Sequence, residues 1–211
     1  MIYLNKESKN TGKFKILSVV LIVMLIVLSA CQPAVQPPLY RPQSTLPEMA
    51  RGLVYGKKLY LTSIGQALDI ETLASSMNTL HDISYTMDNL LDASEVEEGA
   101  VVFITVGCSF KALTESGLTK ESEGERARQF IDRADRGEIT LVSWHIGGIA
   151  RRGATSDSLV EMLFTQSDLA LFTEAGNRDL FLSDWAIAGG VPYCQFTTSI
   201  SDVLQYMTES N

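Results

Sequence analysis

Residues 100–106 read Ala-Val-Val-Phe-Ile-Thr-Val, apolar at every position but Thr105. A strand with one wet face alternates apolar and polar side chains, whereas a strand covered on both faces has no solvent side to supply. The run is too short for most buried helices, so it predicts an inner strand of a parallel sheet. Further candidate strands follow at 58–62, 139–144, 169–173 and 191–197, and residues 81–87 could place Ile83, Tyr85 and Met87 on one strand face. Between them apolar residues follow a helical spacing, first as Ala67, Ile70, Leu73, Ala74, Met77 and Leu80. Further helices are expected over 119–136, 156–164, 179–188 and 201–207. The 119–136 helix carries Glu121 and Glu123 in its first turn, Arg133 and Arg136 in its last, and Gly137 beyond, an order that complements its dipole. Residues 89–99 read as an acidic surface stretch with one helical turn, and residues 107–113 as a loop.

Strands alternating with helices predict a three-layer, doubly wound α/β fold with a mostly parallel sheet of five to six strands. Right-handed crossovers leave two strand orders. The flavodoxin-like 2-1-3-4-5-6 is expected, and the Rossmann-like 3-2-1-4-5-6 competes with it. In either, ligands bind beyond the carboxyl ends of the strands. That rule gathers four loops on one rim: Thr62-Ser63-Ile64-Gly65-Gln66, Gly107-Cys108-Ser109-Phe110-Lys111, residues 145–157, and residues 174–179. All four are rich in glycine, hydroxyl, amide or charge, while the opposite rim offers mainly acidic turns.

The chain does not begin with this domain. Lys6, Lys9, Lys13 and Lys15 precede an apolar run from 16 to 30 that ends Leu28-Ser29-Ala30-Cys31. A basic start, a short greasy core and small residues before a cut are the marks of an export signal, and the run falls short of the roughly 20 residues a spanning helix needs. The cysteine after Leu-Ser-Ala resembles the lipobox of bacterial lipoproteins. The resemblance implies cleavage after Ala30 and lipid on Cys31, hence a membrane-anchored protein facing outside the cytoplasm. The chain then divides into a signal peptide at 1–30, Cys31 with a linker to residue 57, and an α/β domain at 58–211. The linker holds Pro33, Pro37, Pro38, Pro42 and Pro47, five of the six prolines, and such stretches are semi-rigid spacers.

Loss of the first 30 residues, with four lysines and Glu7, takes the formal charge from −8 to −11. So acidic a body repels a phosphate backbone, and no nucleic-acid partner is expected. Positive charge is scarce, which sets off the pair Arg151-Arg152. They follow Gly147-Gly148 and precede Thr155-Ser156-Asp157, a helix start. Glycine lets backbone amides approach a ligand, a helix start adds partial positive charge, and arginine supplies a fork of donors. The expected site is therefore anionic in its ligand. Arg151, Arg152 and Lys111 would counter charge, amides near Gly147, Gly148 and Ser109 would donate, and Ser63, Gln66 and His145 would orient. The bland alternative is a pair of solvated arginines bonded to acids such as Asp157.

His145 is the one candidate acid or base, alongside its plain reading as a bonded strand-end histidine. No Gly-x-Ser-x-Gly elbow accompanies it, no phosphate loop or dinucleotide fingerprint occurs, and His145 and His81 do not sit in a metal-ligand cluster. No metal and no cofactor are expected. Cys108 and Cys194 fall on strands three spacings apart, about 14 Å, beyond the roughly 7 Å a disulfide tolerates, so no bridge is expected.

Residues 59–207 resemble an uncharacterised family of exported bacterial α/β proteins, a domain of unknown function. The likeness rests on Thr62-Ser63-Ile64-Gly65-Gln66, Gly107-x-Ser109-x-Lys111, His145-Ile146-Gly147-Gly148 with Arg151-Arg152-Gly153 and Ser156-Asp157, and Asn177-x-Asp179. It departs where glycine is expected, at Ala112, Thr114 and Leu180. The resemblance implies the fold and the choice of rim and supplies no substrate. Three readings follow: a tethered domain binding a small anion, a hydrolase using His145, and an interaction module serving a membrane protein, for instance a transporter.

Overall fold

The computed structural model describes residues 45–80, 83–197 and 199–209. The export signal, Cys31, most of the prolines and His81 lie outside them. Among the described residues six strands form one parallel sheet: β1 (Leu59–Ile64), β2 (Tyr85–Met87), β3 (Val101–Val106), β4 (Thr140–His145), β5 (Leu169–Thr173) and β6 (Tyr193–Phe196). Their order is 2-1-3-4-5-6, the one expected. The helices are α1 (Asp69–Met77), α2 (Phe110–Glu115), α3 (Lys120–Asp135), α4 (Ala154–Phe164), α5 (Phe181–Gly189) and α6 (Ile200–Thr208).

Every side chain of β1 and β3 is buried, which is why those runs show no polar alternation. Alternate residues feed two cores. Val102, Ile104 and Val106 of β3 pack with Ala127, Phe130 and Ile131 of α3, Leu159, Val160 and Leu163 of α4, and Leu182 and Ala186 of α5. Val101 and Phe103 face the other way, onto Ile70, Leu73 and Met77 of α1 and Val203, Leu204 and Met207 of α6. Trp144 anchors this second core, edge-on to Phe103 at 5.9 Å and to Phe196 at 5.8 Å between ring centroids. The two layers of helix bury the sheet on both sides.

Three local differences from the sequence reading have simple causes. Residues 110–115, expected as loop, form α2, because the Ser109 hydroxyl accepts from the Ala112 amide at 3.3 Å and Leu113 gives the turn a buried anchor. Helix α4 starts at Ala154 ahead of Ser156, with Asp157 reaching back to accept from the Gly153 amide at 3.1 Å. The packed body also reaches back before Lys58: a 3-10 turn at Glu48–Ala50 leads a strap along α6, with Ala50 and Val54 buried in the second core. Arg51 fastens that strap, with its guanidinium 4.5 Å over the Tyr206 ring and bonded to Glu48 and Glu209. Cys108 and Cys194 are both free thiols, as expected. No helix among the described residues is long and apolar enough to cross a membrane.

Register sets up the rim. Ile64 lies opposite Val106, Thr105 opposite Trp144, and His145 opposite Phe172, so the loops after β1, β3, β4 and β5 leave at one level. The four loops named above are neighbours.

Candidate functional site

In a doubly wound sheet the crevice expected to hold a ligand opens where neighbouring strands send their chains to opposite faces. Here that is between β1, whose chain turns to α1, and β3, whose chain turns to α2 and α3. The structure closes this crevice with its own backbone. Gln66 and Cys108 pair as an isolated bridge, the Ser109 amide donates to the Gly65 carbonyl at 2.8 Å, and a Cβ on Gly65 (φ +90°) would collide with the Gly107 carbonyl oxygen. Only glycine fits there.

Beneath the bridge sits an ion pair of Glu123 with Arg126; the sequence offered Glu123 as a first-turn acid complementing the helix dipole and did not single out Arg126. Glu123 of α3 is fully buried and accepts from the Gly65 amide at 2.6 Å, from Gln66 Nε2 at 3.2 Å, and from Arg126 Nε and Nη2 at 2.9 Å each. Arg126 in turn donates to Thr62 Oγ1 at 3.1 Å and to the Ser63 carbonyl. Gln66, held at φ +60°, also donates to the Asn89 carbonyl at 3.0 Å. Ser63 is buried, and its hydroxyl donates to the Ala67 carbonyl at 3.3 Å. Ser63, Gln66 and Ser109 thus build the rim, their polar atoms engaged by the protein itself.

The two arginines part company. The Arg152 side chain is 5% exposed. Its guanidinium donates to Asp157 Oδ1 at 2.5 Å, to the Gly176 carbonyl at 3.2 Å and to Asp179 at 3.3 and 3.4 Å, and lies 3.8 Å over the Phe181 ring. It ties the loop after β4 to the loop after β5. Asn177 completes that tie: its carbonyl oxygen accepts from the Leu182 and Ser183 amides at 3.0 and 3.1 Å, capping α5, while Nδ2 donates to Gln195 Oε1 at 2.8 Å. Leu180 sits between them at φ +65°, the left-handed conformation for which glycine would be the easy residue.

Arg151, by contrast, is 55% exposed. Its side chain lies across Gly147, where a Cβ would come within 2.5 Å of Arg151 Cγ, and its guanidinium stands 3.8 Å from Asp69 Oδ1. Asp69 is the first residue of α1 and is buried, and its other oxygen, Oδ2, has no hydrogen-bond partner among the described residues. That oxygen lies near Gly107, where a Cβ would be 3.7 Å away. Leaving a buried polar group unpaired costs about 1–3 kcal/mol, and more when it is charged. Thr105 and Trp144, register partners on the sheet face that α1 covers, repeat the pattern: Thr105 Oγ1 and Trp144 Nε1 are buried and without a partner among the described residues. The rim thus sets an acceptor-only carboxylate beside a half-exposed guanidinium.

His145 is fully buried at the end of β4. Its Nδ1 lies 3.0 Å from the Val106 carbonyl, which requires the proton on Nδ1 and leaves Nε2 as an acceptor with no partner among the described residues. Burial holds the imidazole below its ordinary pKa, opposed in part by that carbonyl and by the charge of Asp69. The ring is held as a neutral imidazole whose Nε2 lone pair is unused among the described residues. It is packed hard against the neighbouring loop, since a Cβ on Gly176 would fall 2.9 Å from His145 Cδ2 and 2.7 Å from the Gly147 carbonyl.

Lys111 lies on exposed α2, 85% exposed and 3.8 Å from Glu115. Gly148 caps a 3-10 turn at Ile149–Arg151, and the Gly147 carbonyl accepts from Thr173 Oγ1 at 3.0 Å. Among the candidates of the sequence reading, Arg151, His145, Gly147 and Gly148 therefore gather on the rim beside Asp69. Ser63, Gln66, Ser109 and Arg152 frame it, and Lys111 stands in solvent. Asp69, Thr105 and Trp144 were not singled out. A weak signal existed for Thr105, the one polar residue of an otherwise apolar strand. No group of three or more metal-ligating side chains occurs among the described residues.

A comparison with curated proteins finds no match. The model of one protein family covers residues 56–210, nearly the whole α/β domain, and the chain belongs to that family, a domain of unknown function designated DUF6305.

Proposed function

We propose that the protein is a bacterial lipoprotein, exported and held on a membrane through lipid on Cys31, whose α/β domain binds a small anionic molecule at the carboxyl rim of its sheet. The single observation that carries the binding reading is the setting of Arg151 at the carboxyl rim. A half-exposed guanidinium stands 3.8 Å from buried Asp69, whose Oδ2 has no hydrogen-bond partner among the described residues. A guanidinium held half-open at the end of a parallel sheet favours a ligand there that carries a carboxylate or phosphate group. Arg151 supplies the charge, and the closed Gln66–Cys108 bridge keeps the ligand small. The basic leader and the Leu28-Ser29-Ala30-Cys31 sequence support the anchor.

The test is calorimetric titration of the full chain, in detergent micelles, with a series of small carboxylates and phosphates. At least one should bind, and Arg151→Ala should weaken it at least 30-fold, the effect of about 2 kcal/mol expected for a charge-assisted contact. Binding that survives Arg151→Ala unchanged would place the ligand elsewhere. Metabolic labelling with palmitate, lost on Cys31→Ser, tests the anchor.

A hydrolytic reading has one observation in its favour, the neutral His145 with Nε2 free. It requires turnover of an ester or phosphoester that His145→Gln abolishes while binding persists.

A further inference from the structure

We infer that the ligand is a zwitterion of the apolar α-amino acid class, with its carboxylate at Arg151 and its ammonium group at Asp69. The inference rests on the binding reading above: it keeps an anionic carboxylate group at Arg151 and adds a positive group on the same ligand.

The argument is one of charge and of donor type. Arg151 and Asp69 are 3.8 Å apart, so any anion that reaches the guanidinium also comes close to a carboxylate. A plain anion would gain one attraction and suffer one repulsion, in a domain whose overall charge is already strongly negative. A carboxylate, moreover, accepts hydrogen bonds and donates none. Asp69 Oδ2, buried and unpaired among the described residues, therefore calls for a donor on the ligand. A group that presents positively charged N–H donors beside an anion meets both demands. In an α-amino acid these two groups sit on one carbon, a separation that matches a guanidinium and a carboxylate already in contact range.

The loops also indicate the ligand's third substituent. Most large apolar side chains lie in the two cores, yet Leu68, Phe110 and Ile149 are exposed. Each lies close in sequence to the rim: Leu68 precedes Asp69, Phe110 opens α2 three residues after Gly107, and Ile149 precedes Arg151 by two. Exposed apolar groups on the segments that carry Asp69 and Arg151 favour a ligand with an apolar body.

The experiment titrates the full chain in detergent micelles with L-leucine, L-methionine and L-phenylalanine. In parallel it titrates their desamino counterparts, such as 4-methylpentanoate and 3-phenylpropionate, which keep the carboxylate and the apolar body. At least one amino acid is expected to bind about 100-fold tighter than its desamino counterpart. Asp69→Asn should bring the two to within a few-fold of each other, and the comparison on the unmodified chain stands even if that variant folds poorly. Desamino acids that bind as tightly as the amino acids, and that lose binding on Arg151→Ala, would overturn the zwitterion while leaving the anion site in place. Failure of every amino acid and every carboxylate to bind would overturn both.

Discussion

Replacing Arg152 by alanine is expected to destabilise the domain by about 3–5 kcal/mol, whereas the same change at half-exposed Arg151, which takes the counter-charge from buried Asp69, should cost less, about 1–2 kcal/mol. The Arg152 figure comes from its surroundings. Its bond to Asp157, at 2.5 Å, is a charge-assisted contact on a nearly buried guanidinium, a type that contributes about 1.5–3 kcal/mol. The Gly176 carbonyl would lose its donor at a further cost of about 1–3 kcal/mol, and the stacking on Phe181 adds roughly 0.5–2 kcal/mol. The half-exposed Asp179 adds little, about 0–1 kcal/mol. These contributions share one side chain and do not sum independently, which holds the expectation near the lower half of their range. Arg151 has one ion-pair partner among the described residues, Asp69 at 3.8 Å, and its own side chain is half-exposed. Urea unfolding of the full chain in detergent, followed by fluorescence of Trp144 and Trp185, gives both values. The Arg152→Ala loss should lower the melting temperature by roughly 10 °C, at about 2–4 °C per kcal/mol for a domain of this size. An Arg152→Ala variant within 1 kcal/mol of the parent, or an Arg151→Ala variant that is the less stable of the two, would refute the division of labour described here.

Three further outcomes follow from the same geometry. Glu123→Gln keeps the shape of a buried side chain but leaves Arg126 without its counter-charge, so it should cost about 3–5 kcal/mol and speed hydrogen exchange at the Gly65 amide; unchanged exchange would mean that Glu123 does not hold that loop. His145 is held below its ordinary value of 6.5, so the unfolded chain takes up its proton first: its contribution is intact above that pH and is lost as pH falls, at up to about 1.4 kcal/mol per pH unit. Chemical melts between about pH 6.5 and 5 should show a slope that flattens in His145→Gln; parallel slopes would assign the acid sensitivity to other groups. Leu180→Gly exchanges a left-handed leucine, strained by about 1–2 kcal/mol, for a residue costing about 0.5–1 kcal/mol in chain entropy, and so should gain about 0.5–1 kcal/mol in a thermal melt; a loss would show that the Leu180 side chain matters more than its backbone.

The layer architecture was legible because it depends on patterns a single chain displays. Runs such as residues 100–106 announce burial on both faces, and the amphipathic segments between them leave only a short menu of crossovers. Strand order followed, and with it the separation of Cys108 from Cys194. The rim was legible for the same reason, since the carboxyl ends of parallel strands must lie together. What the sequence could not display was the division of roles on that rim. Arg151 and Arg152 are identical in type and adjacent, and only the turn between β4 and α4 decides that one side chain folds in toward Asp157 while the other crosses Gly147. Glu123 gave a plausible account of itself as a first-turn acid, because its partners at Gly65 and Gln66 lie nearly 60 residues away along the chain. Asp69 was hidden likewise: a carboxylate at a helix start is ordinary, and its unpaired oxygen is a property of packing. The glycine that the family resemblance leads one to expect at 180 is replaced by Leu180, which still adopts the left-handed conformation there.

The strap that carries Ala50 and Val54 along α6 also decides where mechanical load enters the domain. A pull on the chain ahead of Thr45 does not reach β1 directly. It meets first the Arg51 clamp on Tyr206 and Glu209, and then the bond from the Val54 amide to the Met207 carbonyl at 3.1 Å. These contacts lie side by side along a helix, so tension is resisted in shear by several at once, and the last helix of the fold takes the strain. A load applied from the N-terminal side would part this seam before it disturbed the sheet.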